Sequence, residues 1–105
     1  MIQIINLTQH TINETTTGQE FPPSGIIARV KSSTDKVTTF NAIPVYRSDF
    51  GEIEGLPARA KGTRYIVSAL ALNAVPDDRT DVVAPGNLQR NEKGQPVGCC
   101  GFRTR

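Results

Sequence analysis

The chain has 105 residues, of which 37% are hydrophobic and 6% aromatic, and it contains no tryptophan. This length suits one small domain over residues 1–105 and excludes an enzyme with separate cofactor and substrate lobes. The net charge of +2 is too small for a dedicated duplex-binding protein unless the charges are unevenly placed.

The charges are unevenly placed along the chain. Residues 1–54 contain four basic and six acidic side chains, whereas residues 55–105 contain eight basic and four acidic ones. Eight of the twelve basic residues are arginines, whose planar guanidinium matches carboxylate and phosphate groups. The pattern allows anion binding, and scattered solvated charges without specific partners are the alternative.

Short β-branched runs separated by turn residues open the chain. Residues 1–7 and 11–15 are predicted as two strands, and residues 16–19 supply turn chemistry after the second. Residues 22–25 form a rigid break, because each proline fixes its φ angle and Gly25 can take a positive one. A further strand is predicted over residues 26–30.

The middle of the chain is predicted as a meander with polar connections. Residues 32–36 favour a polar loop, and residues 37–40 and 43–47 favour two strands. Residues 49–57 combine three acids with two glycines and a proline, which favours an ordered acidic loop.

The best core element is the apolar segment of residues 64–75. Its first half favours a buried strand and its second half has helix-forming composition, so we expect a strand that passes into a short helix near Ser68. One long buried strand is the alternative. As a helix, its 12 residues are too few to cross a bilayer.

The end of the chain is predicted as a hairpin. Residues 82–84 lead into a turn at Pro85 and Gly86, and residues 88–90 and 96–102 flank a second turn at residues 91–94. The predicted fold class is α+β and mainly β, a small single domain of antiparallel strands and hairpins with one short helix.

Cysteine usage and the amino terminus both favour a cytoplasmic protein. No basic segment leads into a long apolar run, so neither a signal peptide nor a transmembrane helix is expected. Cys99 and Cys100 are adjacent, with Cα atoms about 3.8 Å apart, which is too close for an ordinary disulfide. We expect them to be small, reduced packing residues.

The sequence shows no pattern typical of a catalytic or a metal site. One histidine and two neighbouring cysteines do not make up a zinc ligand set, so no metal and no cofactor are predicted. A thiol nucleophile paired with His10 lacks a third residue to orient the imidazole. The glycines match neither phosphate-binding loop pattern, and no catalytic residue is assigned.

Two polar clusters are candidates for binding. Asp49, Glu52 and Glu54 can hold a cation or pair with a basic partner, or they form a solvated acidic loop. In the second cluster, Arg79 is suited to a phosphate or carboxylate and Asp81 to a ribose hydroxyl. The alternative for the second cluster is a capped turn in which Arg79 pairs locally.

Several segments together resemble a family of small bacteriophage and prophage proteins. The matching segments are residues 6–12 (NLTQHTI), 22–25 (PPSG), 50–57 (FGEIEGLP), 62–68 (GTRYIVS) and 81–86 (DVVAPG). A proline often occupies the position of Gln9 in that family, so the first turn is less rigid here. The resemblance covers most of the chain and brings no catalytic assignment.

The resemblance implies a non-enzymatic binding protein of the host cytoplasm. The leading expectation is a host-defence antagonist, acting as a homo-oligomer, that sequesters a small anionic, nucleotide-derived immune signal. Its expected ligand-binding residues are His10, Arg47, Glu52, Arg64, Arg79 and Asp81. The alternative is a protein-interaction module that blocks a host defence complex, or a minor virion protein. Neither duplex nucleic acid nor a membrane is an expected partner.

Overall fold

The computed structural model describes residues 2–105, which form eight strands and one short helix. In chain order these are β1 (Gln3–Asn6), β2 (Ile12–Glu14), β3 (Gln19–Phe21), β4 (Arg29–Phe40), β5 (Ile43–Glu54), β6 (Thr63–Ile66), α1 (Ala69–Asn73), β7 (Val82–Arg90) and β8 (Pro96–Arg103). The predicted class, mainly β with hairpins and one short helix, is confirmed.

The larger sheet has six strands in the order β1-β6-β7-β8-β2-β3 and is mixed. β6 is parallel to both β1 and β7, whereas β7 pairs antiparallel with β8 and β2 with β3. Parallel neighbours need a crossover connection, and α1 lies in the one that joins β6 to β7. The expectation of antiparallel hairpins therefore holds for part of this sheet only.

The strand-to-helix transition near Ser68 is confirmed. Tyr65 and Ile66 end the buried strand, and the extended Ser68 caps α1 by accepting a hydrogen bond from the Ala71 amide at 3.2 Å. Ala71 and Leu72 are the buried residues of the helix. The helix packs against β7, so a short segment with little helical stability of its own is held by tertiary contact.

The hydrophobic core lies between the larger sheet and α1. Its buried members, all but one of them small or medium in size, are Leu7, Ala28, Tyr65, Val67, Ala71, Leu72, Val75, Val82 and Ala84. Ile5, Val30, Ile53 and Leu56 pack against this cluster and are partly buried. The core is built from aliphatic side chains, as the composition predicts, and Tyr65 is its one aromatic member among the described residues.

β4 and β5 form a separate two-stranded hairpin, here called the arm (Arg29–Glu54). At its base Val30 and Ile53 pack against the core, and Lys31 forms an ion pair with Glu54 at 3.3 Å. The remaining part extends away from the core, and almost all of its side chains are exposed.

Two loop predictions in this region are wrong. Residues 32–36 lie inside β4, and the acidic segment of residues 49–54 lies inside β5, so that only Gly55 to Pro57 leave the strand. Polar composition predicted loops, but a ribbon exposed on both faces can be polar throughout while cross-strand pairing fixes its backbone. The strands predicted over residues 37–40 and 43–47 are confirmed as parts of these longer strands.

The turn predicted at Pro85 and Gly86 is also wrong, because both residues lie inside β7. A Cβ atom on Gly86 would come within 2.9 Å of the carbonyl oxygens of Cys100 and Gly101. Gly86 is therefore required for the close approach of β8 and not for a change of direction. The final hairpin around residues 91–94 is confirmed.

The arm gives the molecule an elongated shape. The Cα radius of gyration is 16.5 Å and the principal extents are 56 × 39 × 23 Å, whereas a compact chain of this size has a radius of about 13 Å. Within residues 2–105 no helix has the length and hydropathy to cross a bilayer.

Candidate functional site

The best candidate site is a groove at the carboxyl ends of the parallel strands β1 and β6. Beyond the end of β6, strand β7 continues and forms one wall of the groove, while the loop of residues 7–11 connects β1 to β2, which lie on either side of β6, β7 and β8 in the strand order. His10 lies on this loop.

Three adjoining cavities share His10 and together form what we call the His10 groove. The largest has a volume of about 570 Å³, and its neighbours have volumes of about 410 and 430 Å³. The largest cavity is lined by Thr8, His10, Ile12, Ser68, Ala69, Pro85, Gly86, Asn87, Leu88 and Arg103. Volumes of this order accommodate a nucleotide-sized ligand.

The loop that carries His10 is braced by one buried side chain, Asn6. Its Nδ2 atom donates to the carbonyl oxygens of His10 and Phe21, each at 2.7 Å. Its Oδ1 atom accepts from the amide and hydroxyl of Thr8 at 2.8 and 2.7 Å. An amide that uses both its donors and its acceptor in this way fixes the loop backbone, so His10 is presented to the groove on a rigid support.

The facing side of the groove is formed by the start of α1 and by Arg29. Ser68 lines both the largest cavity and the 430 Å³ cavity, in which Arg29, Ile27 and Ala28 also take part. The Ala28 amide donates to the carbonyl oxygen of Leu7 at 3.0 Å. This backbone bond ties the start of the arm to the loop that carries His10.

The 410 Å³ cavity extends the groove between β2 and the β7–β8 hairpin. Its walls are mostly apolar and include Ile12, Pro85, Leu88 and Val97, and it reaches Cys99. Cys99 is buried and burial raises the pKa of its thiol, whereas Cys100 is exposed; both are free thiols. Cys99 therefore packs as a small apolar residue, as expected, and its thiol is poorly suited to act as a nucleophile.

The groove has the groups that are needed to bind a ligand with both a negative charge and an apolar part. Arg103 and Arg29 line two different cavities of the groove and supply positive charge, and His10 lines both of these cavities. Ile12, Pro85 and Leu88 offer apolar surface, while the hydroxyl of Ser68 and the amide of Asn87 offer hydrogen bonds. A lining of mainly apolar side chains with a small number of polar groups is typical of small-molecule sites.

The six side chains expected to bind ligand do not come together. His10 lies in the groove, Arg47 and Glu52 are exposed on the arm, and Arg64 and Asp81 lie near the opposite end of the larger sheet. The register of the arm places Arg47 directly opposite Asp35. A single site made of all six residues is therefore not what this fold forms.

Arg64 and Asp81 line a second cavity, here called the basic depression, with a volume of about 490 Å³. Its lining residues are Arg59, Ala60, Lys61, Gly62, Arg64, Thr80 and Asp81. Arg59 donates to the carbonyl oxygen of Asp78, and Arg64 donates to that of Thr63 at 3.0 Å. The depression is positively charged but presents no large apolar surface.

Arg79 and Asp81 form a buried pair beside the basic depression. The Nε and Nη2 atoms of Arg79 donate to the two carboxylate oxygens of Asp81, each at 3.0 Å, and Nη2 also donates to the carbonyl oxygen of Pro57 at 2.9 Å. This hydrogen bonding lowers the pKa of Asp81 and raises that of Arg79. Of the two alternatives for Arg79, the structure shows the local pairing.

The acidic residues of β5 show no cation site. Glu54 is paired with Lys31, and within residues 2–105 no group of three or more histidine, cysteine or carboxylate side chains is arranged to hold a metal ion. Asp49 lies opposite Ser33 in the arm register. These carboxylates are accordingly exposed charges of the arm.

Sequence reasoning missed Arg29, Arg103 and the bracing residue Asn6. Asn6 had a local signal, because an asparagine that ends an apolar strand two residues before Thr8 favours a side-chain-stabilised turn. The two arginines had none, since they lie 74 positions apart and line cavities beside His10 only in the folded chain.

Comparisons of the chain with protein-family models, with curated proteins and with solved structures found no match.

Proposed function

We propose that this protein binds a small anionic ligand in the His10 groove and holds it without chemical change. The ligand class that fits is nucleotide-derived, with phosphate groups toward Arg103 and a base over Ile12, Pro85 and Leu88 of the same cavity. The single observation that supports this proposal is the groove itself, in which positive charge and apolar surface adjoin.

The biological setting is proposed from the resemblance to small phage and prophage proteins. A phage-encoded binding protein in the host cytoplasm that sequesters a nucleotide signal would act as an antagonist of host defence. Binding alone is sufficient for this role, because removing free ligand lowers the signal by mass action. No catalytic group is needed.

The alternative, a protein-interaction module, is favoured by a different observation. The arm exposes large apolar side chains far from the groove, including Phe40 and Ile43. Exposed apolar clusters of this kind mark protein contacts. The two functions are compatible in one chain, because the groove and the arm tip are separate surfaces.

Isothermal titration calorimetry with ADP-ribose and a set of cyclic dinucleotides tests the ligand proposal. We expect at least one of these probes to bind the wild-type protein. Arg103→Gln should weaken that binding at least tenfold, since a hydrogen bond to a charged group contributes about 1.5–3 kcal/mol.

The matched control is Arg90→Gln, which removes the same charge from β7 of the same hairpin. Arg90 donates to the Gly94 carbonyl oxygen at 2.8 Å and does not line the largest cavity of the groove. This variant should bind like the wild type. Equal weakening by both substitutions would indicate nonspecific charge attraction, and no binding by any probe would overturn the nucleotide proposal.

A further inference from the structure

The basic depression contains three cationic side chains that the proposed function does not use. Arg59, Lys61 and Arg64 lie within residues 59–64 and line the same cavity of about 490 Å³. Within residues 2–105 neither Lys61 nor Arg64 forms an ion pair. A cavity lined by charges of one sign attracts ions of the opposite sign, so the basic depression favours anions.

The carboxylate that lines the basic depression does not cancel this charge. Asp81 is the one acidic residue described in the lining, and its side chain is only 5% exposed. Both of its carboxylate oxygens accept hydrogen bonds from Arg79, whose charge balances that of Asp81. The Nε atom of Arg59 lies 3.9 Å from Asp81 Oδ1, which is outside hydrogen-bonding distance. The positive charges of the three cationic side chains therefore remain available to a ligand.

The backbone that carries these cations is fixed by hydrogen bonds. The Thr63 amide donates to the carbonyl oxygen of Ala60 at 3.1 Å, and the Gln3 amide donates to that of Gly62 at 2.8 Å. Arg64 lies in β6, which pairs with both β1 and β7. A site whose backbone is already ordered loses less conformational entropy when a ligand binds.

The rest of the lining indicates a ligand that is charged and has no apolar part. Besides the charged residues, the described lining consists of Ala60, Gly62 and Thr80, so it offers no aromatic side chain on which a base could stack. Arginine and lysine bind phosphate oxygens, and the Thr80 hydroxyl adds a hydrogen-bonding group. The cavity volume is within the range of small-molecule sites.

We propose that the basic depression is a second binding site, which takes a compact oligophosphate such as inorganic tripolyphosphate. Among the described residues it shares no lining residue with the three cavities of the His10 groove. The two sites also differ in chemistry, because the His10 groove adds apolar surface to positive charge and the basic depression does not. Binding at one site is therefore independent of the other.

Isothermal titration calorimetry with sodium tripolyphosphate in a phosphate-free buffer tests this proposal. The wild type should bind tripolyphosphate in a saturable manner. Lys61→Gln combined with Arg64→Gln should weaken that binding at least about tenfold, because each substitution removes a hydrogen bond between charged groups. If circular dichroism shows that the double variant does not fold, Lys61→Gln alone is the test, since Lys61 is exposed on a turn. It should weaken binding at least about threefold.

The matched control is Arg90→Gln combined with Lys93→Gln, which also removes two positive charges but at the end of β7 and in the turn that follows it. This control should bind tripolyphosphate like the wild type, and so should Arg103→Gln in the His10 groove. A wild type without saturable binding would overturn the proposal. Equal weakening by the control, weakening by Arg103→Gln, or a folded Lys61 variant that binds like the wild type would overturn it too.

Discussion

Glu14 is a buried residue whose carboxylate is hydrogen-bonded in its ionised form. Its carboxylate accepts hydrogen bonds from the amides of Gly101, Thr16 and Thr17 at 2.7, 2.9 and 2.8 Å. The bond from Gly101 is the largest cause of a pKa lowered from 4.5 to about 2. The charged carboxylate thus joins β8 to the turn that follows β2.

Because the pKa of Glu14 is lowered on folding, the free energy of unfolding depends on pH in the acid range. The contribution of Glu14 is complete above pH 4.5 and is lost as the pH falls toward 2, since the unfolded chain binds the proton first. Glu14→Gln should therefore lower Tm at pH 7 and flatten the decline of Tm between these values. Thermal unfolding measured across this pH range tests the prediction. The control is Glu20→Gln, because Glu20 is exposed. If the Tm of Glu14→Gln declined with falling pH as steeply as that of the wild type, this role of Glu14 would be contradicted.

Arg79 also stabilises the fold, through the ion pair with its buried partner Asp81. Arg79→Met leaves the Asp81 carboxylate buried without its bidentate donor, so we expect a loss of about 3 kcal/mol in the free energy of unfolding. Arg79→Met combined with Asp81→Leu should recover most of that loss, because an apolar pair replaces the ion pair. Chemical denaturation measures both variants. Equal stability of the single variant and the wild type would assign Arg79 a purely surface role.

The turn of the arm is the clearest strained point at the scale of elements. Asn41 and Ala42 have φ angles of 49° and 65°, the pattern of a two-residue hairpin turn with both central residues left-handed. Alanine in this conformation costs roughly 1–2 kcal/mol, which glycine avoids. The sequence therefore forms this turn at some cost in stability.

Ala42→Gly should stabilise the arm by about 1 kcal/mol. Because the arm contacts the core only at its base, we expect the gain as slower hydrogen exchange of arm amides and only a small rise in global Tm. Thr39→Gly, within the strand, is the control and should speed exchange. Unchanged exchange in Ala42→Gly would show that the turn is not strained.

Most elements with an apolar pattern were predictable from the sequence, and polar strands were not. In the strand predicted over residues 26–30, only Arg29 and Val30 lie in a strand. The segment from Arg64 to Val75 predicted a buried strand followed by a capped helix, and the structure has both, because burial and composition favour the same elements there. Residues 32–36 and 49–54 have loop-like composition, yet cross-strand pairing in the arm overrides it. Strand propensity depends on such neighbours more than on the residues themselves.

At the scale of the whole molecule, the candidate site is a product of topology. Sequence reasoning identified His10, but the residues around it come from four distant segments that meet only in the folded sheet. Arg79 and Asp81 were grouped by their proximity in the sequence, and both lie elsewhere, as does Arg64. Local patterns predict elements, whereas a site formed where strands end depends on strand order.

The central claim is that the His10 groove holds a nucleotide-derived ligand unchanged, and native mass spectrometry tests it most directly. The protein is mixed with ADP-ribose and cyclic dinucleotides, and the complex is then denatured. We predict a stoichiometric adduct whose released ligand has its original mass. No adduct with any of these probes, or release of a ligand of altered mass, would contradict the account.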